Sequence, residues 1–464
     1  MMGSSRFEVR WLLVVLALWA VQPAIAARYP WKAGVAKVVI TPTRSVWMAG
    51  YAARTKPSEG VAQDLYAKAL ALEDSSGRRA VLVTTDLLGL PASVSRRVAE
   101  RVEKQYTLPR ERLIFNSSHT HYSPVLDRVL EIAYEMTPQQ WADAESYTEE
   151  LEDKLVGVIG EALKDLAPAS LSFGHGEATF AMNRRAKRGT EYAIGVNPEG
   201  PVDNDVPVLR VEGKGGKLRA IVFGYACHNT TLGADFYRFM GDYAGFAQAW
   251  LESHHSGAIA LFVAGCGADA NPYPRGTLDL SRLHGEALAV VVEKVLGTRL
   301  ESIGGPLKCV YQEFPVAFAA PPSREEFERR LHHEDKYVRR HAAAMLNILD
   351  RDGQLAATYP YPLQVWQFGR DLTLIAMAGE VVSDYALRLK RELGAEKLWV
   401  AGYCNDVFAY IPSLQVLQEG GYEASGAMIY YGQPGPFSPV IEETIIRKVH
   451  ELVNLSSAGP ARRD

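Results

Sequence analysis

Leu113-Ile-Phe-Asn-Ser-Ser-His-Thr-His121 begins with three large apolar side chains and runs on into six polar residues, two of them histidines. A short apolar run bounded by turn-forming residues suits a buried strand, so the polar tail reads as the loop at its end. The same arrangement recurs at Leu218–Ala226 before Cys227-His228-Asn229, and at Ala258–Val263 before Gly265. It recurs again at Leu372–Ala378 before Gly379-Glu380, and at Leu398–Gly402 before Tyr403–Tyr410. Further strands are predicted at Ala36–Thr41, Tyr66–Leu72, Ala80–Thr85 and Leu363–Gly369. Between them, helical spacing with charged outer faces marks Val94–Tyr106, Gln139–Leu166, Asp242–Ser253, Leu278–Leu296, Glu380–Leu393 and Ile441–Val453. Alternating strands and helices predict an α/β fold: one large domain with a mixed β-sheet core and peripheral helices. Pro321-Pro322 breaks the pattern. Behind it, Ser323–Asp352 reads as a charged helical insertion or lid, opened by a capping-box sequence, Ser323-Arg-Glu-Glu326.

Composition narrows the class. The chain has 464 residues, 47% hydrophobic and 22% charged, with 50 Lys+Arg against 54 Asp+Glu. That is globular composition, and a net charge of −4 without a basic run argues against a nucleic-acid partner. Arg6 and Arg10 precede the apolar run Trp11–Val21, and Ala24-Ile-Ala26 has the small-x-small form of a cleavage site. Residues 1–26 therefore read as a secretory signal peptide, with residues 27–464 as a secreted or periplasmic protein. Export makes cysteine pairing a question, yet Cys227, Cys266 and Cys404 sit at the ends of buried strands and no C-x-x-C pair occurs. Unpaired thiols are expected.

Chemistry can collect at the strand ends, where sites gather in α/β proteins. Residues two apart on an extended chain face one side, so His119 and His121 can share a site. His228, Glu380 and the loop Gly402–Tyr410 are the other candidates, and together they suggest a two-histidine, one-carboxylate metal site. No H-E-x-x-H, G-x-S-x-G, Walker or G-x-G-x-x-G motif occurs, which disfavours zincins, α/β-hydrolases, P-loop enzymes and dinucleotide binders. The sequons at Asn116, Asn229 and Asn454 are read as chance matches, because glycans on the first two would obstruct the candidate site.

Several segments, in order, resemble the neutral/alkaline (non-lysosomal) ceramidase family from about Ala33 to Leu452. They are Ala33-Gly-Val-Ala-Lys-Val-Val-Ile-Thr-Pro42, Met48-Ala-Gly-Tyr51, Asn116-Ser-Ser-His-Thr-His121, Asn183-Arg184 and Ala226-Cys-His228. Gly241-Asp-Tyr-Ala-Gly245, Gly265-Cys-Gly-Ala-Asp-Ala-Asn-Pro272, Gly379-Glu380, Asn405–Tyr410 and Gly421-Tyr-Glu-Ala-Ser425 follow. Carried over position by position, the resemblance implies a Zn2+ ion held by His119, His228, Glu380 and Tyr410. His121 and Arg184 would then line the site as proton-handling or substrate-orienting catalytic groups, with Tyr410 as ligand or oxyanion donor. The implied reaction is hydrolysis of the N-acyl amide of ceramide or a related lipid-like compound by metal-activated water, with at most transient contact with a membrane surface.

The departures are informative. Tyr122-Ser123-Pro124 replaces the family's Ser-Gly-Pro text, and the larger Tyr122 is expected to narrow the pocket. Asn271 stands where animal ceramidases carry a serine once proposed as nucleophile, which favours direct attack by water. The chain ends soon after its last predicted helix, so the resemblance covers the N-terminal catalytic domain and no C-terminal β-sandwich is expected. Trp47, Tyr122, Phe236, Phe239, Tyr430, Tyr431 and Phe437 are candidates for an apolar trough, with core packing the expected role for most of them. Three readings stay open: a zinc amidase on N-acyl lipids, a metal hydrolase with another substrate, and a silent binding protein. Equally open is whether His119 or His121 takes the metal.

Overall fold

The computed structural model describes residues 29–457, so the signal-peptide segment 1–26 lies outside the described residues. Nine strands form the larger sheet: β1 (Trp31–Val39), β2 (Tyr66–Asp74), β3 (Arg79–Thr85), β4 (Leu113–Ser117), β5 (Ala167–Glu177), β6 (Asp205–Gly213), β7 (Leu218–Tyr225), β8 (Ile259–Ala264) and β9 (Glu301–Ile303). Their order is β8-β7-β6-β5-β1-β2-β3-β4, with β9 on β5. Only β3–β4 and β7–β8 pair in parallel. A second sheet holds β10 (Leu307–Ala317), β11 (Thr358–Phe368), β12 (Leu372–Met377) and β13 (Leu398–Ala401), the last two parallel. The mixed core is thus divided between two sheets.

The two sheets pack face to face. Leu70, Leu82, Ile114, Val222 and Leu261 of the first meet Trp366, Phe368, Leu374 and Trp399 of the second in one buried cluster. Successive side chains point to opposite faces of a strand. Their neighbours Ala71, Val83, Phe115, Phe223 and Phe262 accordingly face outward, onto helices. Helices α1 (Ala92–Tyr106) and α2 (Pro138–Lys164) cover one part of the large sheet; α3 (Asp242–His254) and α4 (Leu278–Leu296) cover the other. Ser323–Asp352 forms two helices, α5 (Arg324–Arg330) and α6 (Lys336–Asp352), and α7 (Ser383–Leu393), the short α8 (Leu414–Glu419) and α9 (Ile441–Ser457) complete the chain. Helices α7 and α9 cover the smaller sheet. Strands buried on both faces read as continuous apolar runs, which is why β3, β8 and β12 are legible in the sequence.

Three differences from the sequence reading have physical causes. Strands β5, β6 and β10 go unanticipated, because Pro168, Pro207 and Pro315 interrupt their patterns and proline normally argues against a strand. Ser323 does cap α5, accepting from the Glu326 amide, but the Glu326 carboxylate turns to Arg329 and Arg330 instead of closing a capping box. Glu380 does not open a helix; it lies in a two-residue strand, Glu380–Val381, and α7 begins at Ser383.

Candidate active site

Parallel strands bring the polar loops to one end of the fold. An isolated bridge joins Thr120 to Asn229, so the loops after β4 and β7 run side by side. Glu380–Val381 pairs in parallel with Tyr410–Ile411, placing Glu380 directly opposite Tyr410. His119, His121, His228, Glu380 and Tyr410 therefore meet although they are scattered over nearly 300 residues. The histidine pair converges by a route other than strand alternation. His119 lies beyond the strand end in the left-handed region (φ 61), a conformation costly for a non-glycine residue and concentrated at functional sites.

The distances are short. The Nε2 atoms of His119 and His228 lie 3.0 and 3.1 Å from the same oxygen of Glu380, Oε2. His121 Nε2 is 3.3 Å from His119 Nε2, and the Tyr410 hydroxyl is 3.3 Å from His228 Nε2. His119 donates Nδ1–H to the Leu88 carbonyl (2.6 Å), and His228 donates to that of Gly267 (2.9 Å). Those bonds commit both Nδ1 atoms and leave Nε2 of each ring facing inward. His121 differs: its Nδ1 is buried without a hydrogen-bond partner. The carbonyl of Gly267 reaches His228 only because its loop lies against the Cys227 backbone; a Cβ at Gly267 would stand 2.3 Å from the Cys227 nitrogen.

Charge is arranged to match. Burial, with help from Arg184, lowers the His228 pKa to about 4 and keeps it neutral at pH 7. Burial and the two neighbouring histidines hold His121 well below its usual value. Burial opposes ionisation of Glu380, but His119 and His228 outweigh it and hold the carboxyl well below the ordinary carboxylate range. Tyr410 is pushed well up by burial, with Arg184 acting against the shift. Arg184 donates from Nη2 to the Tyr410 hydroxyl (2.9 Å) and from Nε to Glu423 (2.8 Å). Its remaining bond, 3.3 Å to Asn271 Oδ1, makes Asn271 part of the scaffold, where it also accepts from Thr230.

Glu423 is a residue the sequence reading missed in this role. Its second oxygen accepts from Arg185 at 2.9 Å, so one buried carboxylate balances two buried guanidinium groups. Breaking such a network from one side typically costs about 3–5 kcal/mol. Glu423→Gln should lower unfolding free energy by about that amount in a urea titration, with the slope unchanged.

Tyrosines complete the wall. Tyr431 donates to Glu380 Oε1 (2.5 Å), Tyr403 stacks on His119 at 4.4 Å, and Tyr51 lies 4.8 Å from the His121 ring. Of the seven aromatics considered for a trough, Tyr430 and Tyr431 line the cavity. Tyr122, Phe236, Phe239, Trp47 and Phe437 pack elsewhere in the core. Tyr122 does not narrow the pocket: fully buried, it donates to the Leu232 carbonyl and accepts from its amide. Asn116 and Asn229 are fully buried, their amides joining loop backbones. All four cysteines are free.

The loop carrying Tyr410 is anchored from behind by Asp406, whose oxygens accept from the Ala92 amide (2.9 Å) and the Tyr359 hydroxyl (2.6 Å). Burial raises this carboxyl to about 7. A raised folded-state value means its stabilising contribution is complete below the unfolded value near 4 and is lost as pH rises through about 7. Asp406→Asn, which can keep both hydrogen bonds, should flatten that slope, worth at most about 4 kcal/mol, in unfolding titrations from about pH 4 to 8.

Comparisons with known proteins bear on the family and the fold. The profile of the family described as neutral/alkaline non-lysosomal ceramidase, N-terminal, matches residues 31–271. The chain is 26% identical over 275 residues to the neutral ceramidase of Pseudomonas aeruginosa, covering 56% of this chain and 40% of that one. It is 27% identical over 248 residues to neutral ceramidase A of Dictyostelium discoideum, covering 49% and 34%. These matches span two-fifths or less of the relatives' own length. The crystal structure of the Pseudomonas aeruginosa neutral ceramidase superposes with a TM-score of 0.71 at 19% identity, over 92% of this chain and 75% of that one, a likeness of fold. With more than half of its length inside the matching profile, the chain belongs to the neutral/alkaline non-lysosomal ceramidase family.

Proposed function

We propose that the chain is an exported, zinc-dependent amidohydrolase that cleaves the amide bond of an N-acyl compound, ceramide being the substrate that the relatives' names suggest. One observation carries the reading. His119 and His228, each with Nδ1 committed to a carbonyl, direct Nε2 at the same carboxylate oxygen from 3.0 and 3.1 Å, inside a buried site. Acceptors set against acceptors repel unless a cation lies among them. A proton on His228 would charge a ring that burial keeps neutral; a divalent metal answers the whole set. The two-nitrogen, one-carboxylate inventory suits zinc.

His119, His228, Glu380 and Tyr410 would hold the ion. A bound zinc supplies Lewis acidity, which makes water nucleophilic at neutral pH and polarises a carbonyl. The rest is the work of side chains. Tyr410, its hydroxyl steadied by Arg184, stands where it can donate to the carbonyl oxygen as negative charge develops. His121, held neutral by burial and with its Nε2 beside that of His119, accepts a proton from water at that atom and returns it to the departing amine. Asn271 offers no nucleophile, which supports attack by water without an acyl-enzyme. Residues 1–26 support export, and among the described residues no helix is long and apolar enough to cross a membrane.

The test is a panel of N-acyl amides assayed with purified protein, metal content being measured in parallel. Hydrolysis should follow zinc occupancy, vanish with a chelator and return with added zinc. Fully loaded protein that cleaves no member of the panel would sink the proposal.

A further inference from the structure

Resting on that amidase reading, we infer that Arg54 is a positioning residue for the reaction: it aims the His121 ring into the site, although it does not itself line the cavity. The three site histidines are not held alike. Nδ1 of His119 and Nδ1 of His228 are each tied to a carbonyl, at 2.6 and 2.9 Å, which sets the direction of those rings. His121 Nδ1 is buried without a partner, so no hydrogen bond from that side directs its ring. Its Nε2 nevertheless stands 3.3 Å from His119 Nε2.

Backbone bonds and packing hold it there. His121 N–H donates to the Asn229 carbonyl at 3.2 Å, and the His121 carbonyl accepts from Arg54 Nη1 at 2.8 Å. The ring abuts Gly50, where φ is 100 and a Cβ would stand 2.5 Å from His121 Cγ. It also abuts the Tyr51 ring, with centroids 4.8 Å apart. Each of these last two supports leads back to Arg54. The same Nη1 donates to the carbonyl of Ala49, the residue before Gly50. The guanidinium lies over the Tyr51 ring at 5.0 Å.

Arg54 is an uncommon kind of buried charge. It is 2% exposed, and among the described residues no carboxylate pairs with it, whereas Arg184 and Arg185 share Glu423. Its partners are the carbonyls of Ala49, His121 and Phe236 and the rings of Tyr51 and Tyr122, with Nε left bare. That arrangement forgoes the ion pair that ordinarily offsets the burial of a guanidinium. In its place the rigid fork ties the Gly50 segment, the His121 backbone and the loop at Phe236 together, which a lysine ammonium cannot reproduce. A proton carrier works only within hydrogen-bond reach of the reacting atoms, and an error of about 1 Å in such placement can cost on the order of 10²-fold.

The decisive measurement is a double-mutant cycle on the full, zinc-loaded protein. Arg54→Lys keeps the charge and loses the fork. It should retain zinc, lower kcat by roughly 10- to 10²-fold and leave KM within about 3-fold. In a His121→Asn background the same change should cost less than ~3-fold, because no ring is left to aim. Arg54→Gln, uncharged and able to reach one carbonyl, should give the same pattern, so the outcome does not hang on one variant folding. Equal losses in both backgrounds would make Arg54 a structural staple and overturn the inference. Magnetic resonance of isotope-labelled histidine supplies a readout that needs no turnover. The His121 ring, assigned by its loss in His121→Asn, should give one sharp signal in the wild type that broadens or splits in Arg54→Lys, with His119 and His228 unmoved. An unchanged His121 signal also overturns the inference. A wild type that hydrolyses nothing yet shows this Arg54-dependent signal removes the amidase reading and leaves the positioning standing.

Discussion

Replacing His228 with asparagine should strip zinc from the protein and bring hydrolysis below detection. The ring is wholly buried, its Nδ1 committed to Gly267 and its Nε2 aimed at Glu380. Asparagine is shorter and cannot restore that nitrogen. One imidazole, one carboxylate and a phenol whose proton burial retains are a poor set for zinc, and even the loss of a group that merely supports a ligand typically costs 10- to 100-fold in affinity. Metal analysis after gel filtration should give well under a tenth of an equivalent, on the order of what such a loss implies at micromolar zinc. Retention of stoichiometric zinc would show that His228 is not a ligand.

His121→Asn should behave differently. If His121 moves protons, zinc stays near one equivalent while kcat falls by roughly 10²–10⁴-fold, the usual contribution of a general acid or base. Its missing Nδ1 partner is the physical reason to separate it from His119, whose Nδ1 is held by Leu88. The reverse assignment remains concrete. All three histidines have ligand atoms within 4.8 Å of one another, so a site using His121 is geometrically available. Zinc lost from His121→Asn but kept by His119→Asn would exchange the two roles.

What the sequence made legible follows from which contacts are local. His119, His228 and Glu380 closely follow apolar strands and Tyr410 ends the loop after another, and that punctuation is visible without coordinates. The bridge of Glu380 to Tyr410 is not, because it depends on two short segments 30 residues apart finding one register. From sequence alone Glu380 therefore reads as a helix start. Likewise Tyr122 and Phe239 look like trough residues by type, and only packing shows that they are core. Glu423 lies in a segment that carries the family resemblance, but its role is not local, since it pairs with two arginines more than 200 residues away. The proline-bearing strands β5, β6 and β10 are hidden for the opposite reason: pairing with neighbouring strands overrules local preference.

The division of the core into two sheets has a mechanical consequence. His119 and His228 extend from strands of the nine-stranded sheet, Glu380 and Tyr410 from the four-stranded one. A cation shared by all four would act as a rivet across the seam, and its binding energy would count toward holding the halves in register. Chelation should then loosen the molecule along that seam before either sheet melts, with amide exchange quickening first around Gly265–Asn271 and Gly402–Tyr410, where the two sheets' loops meet.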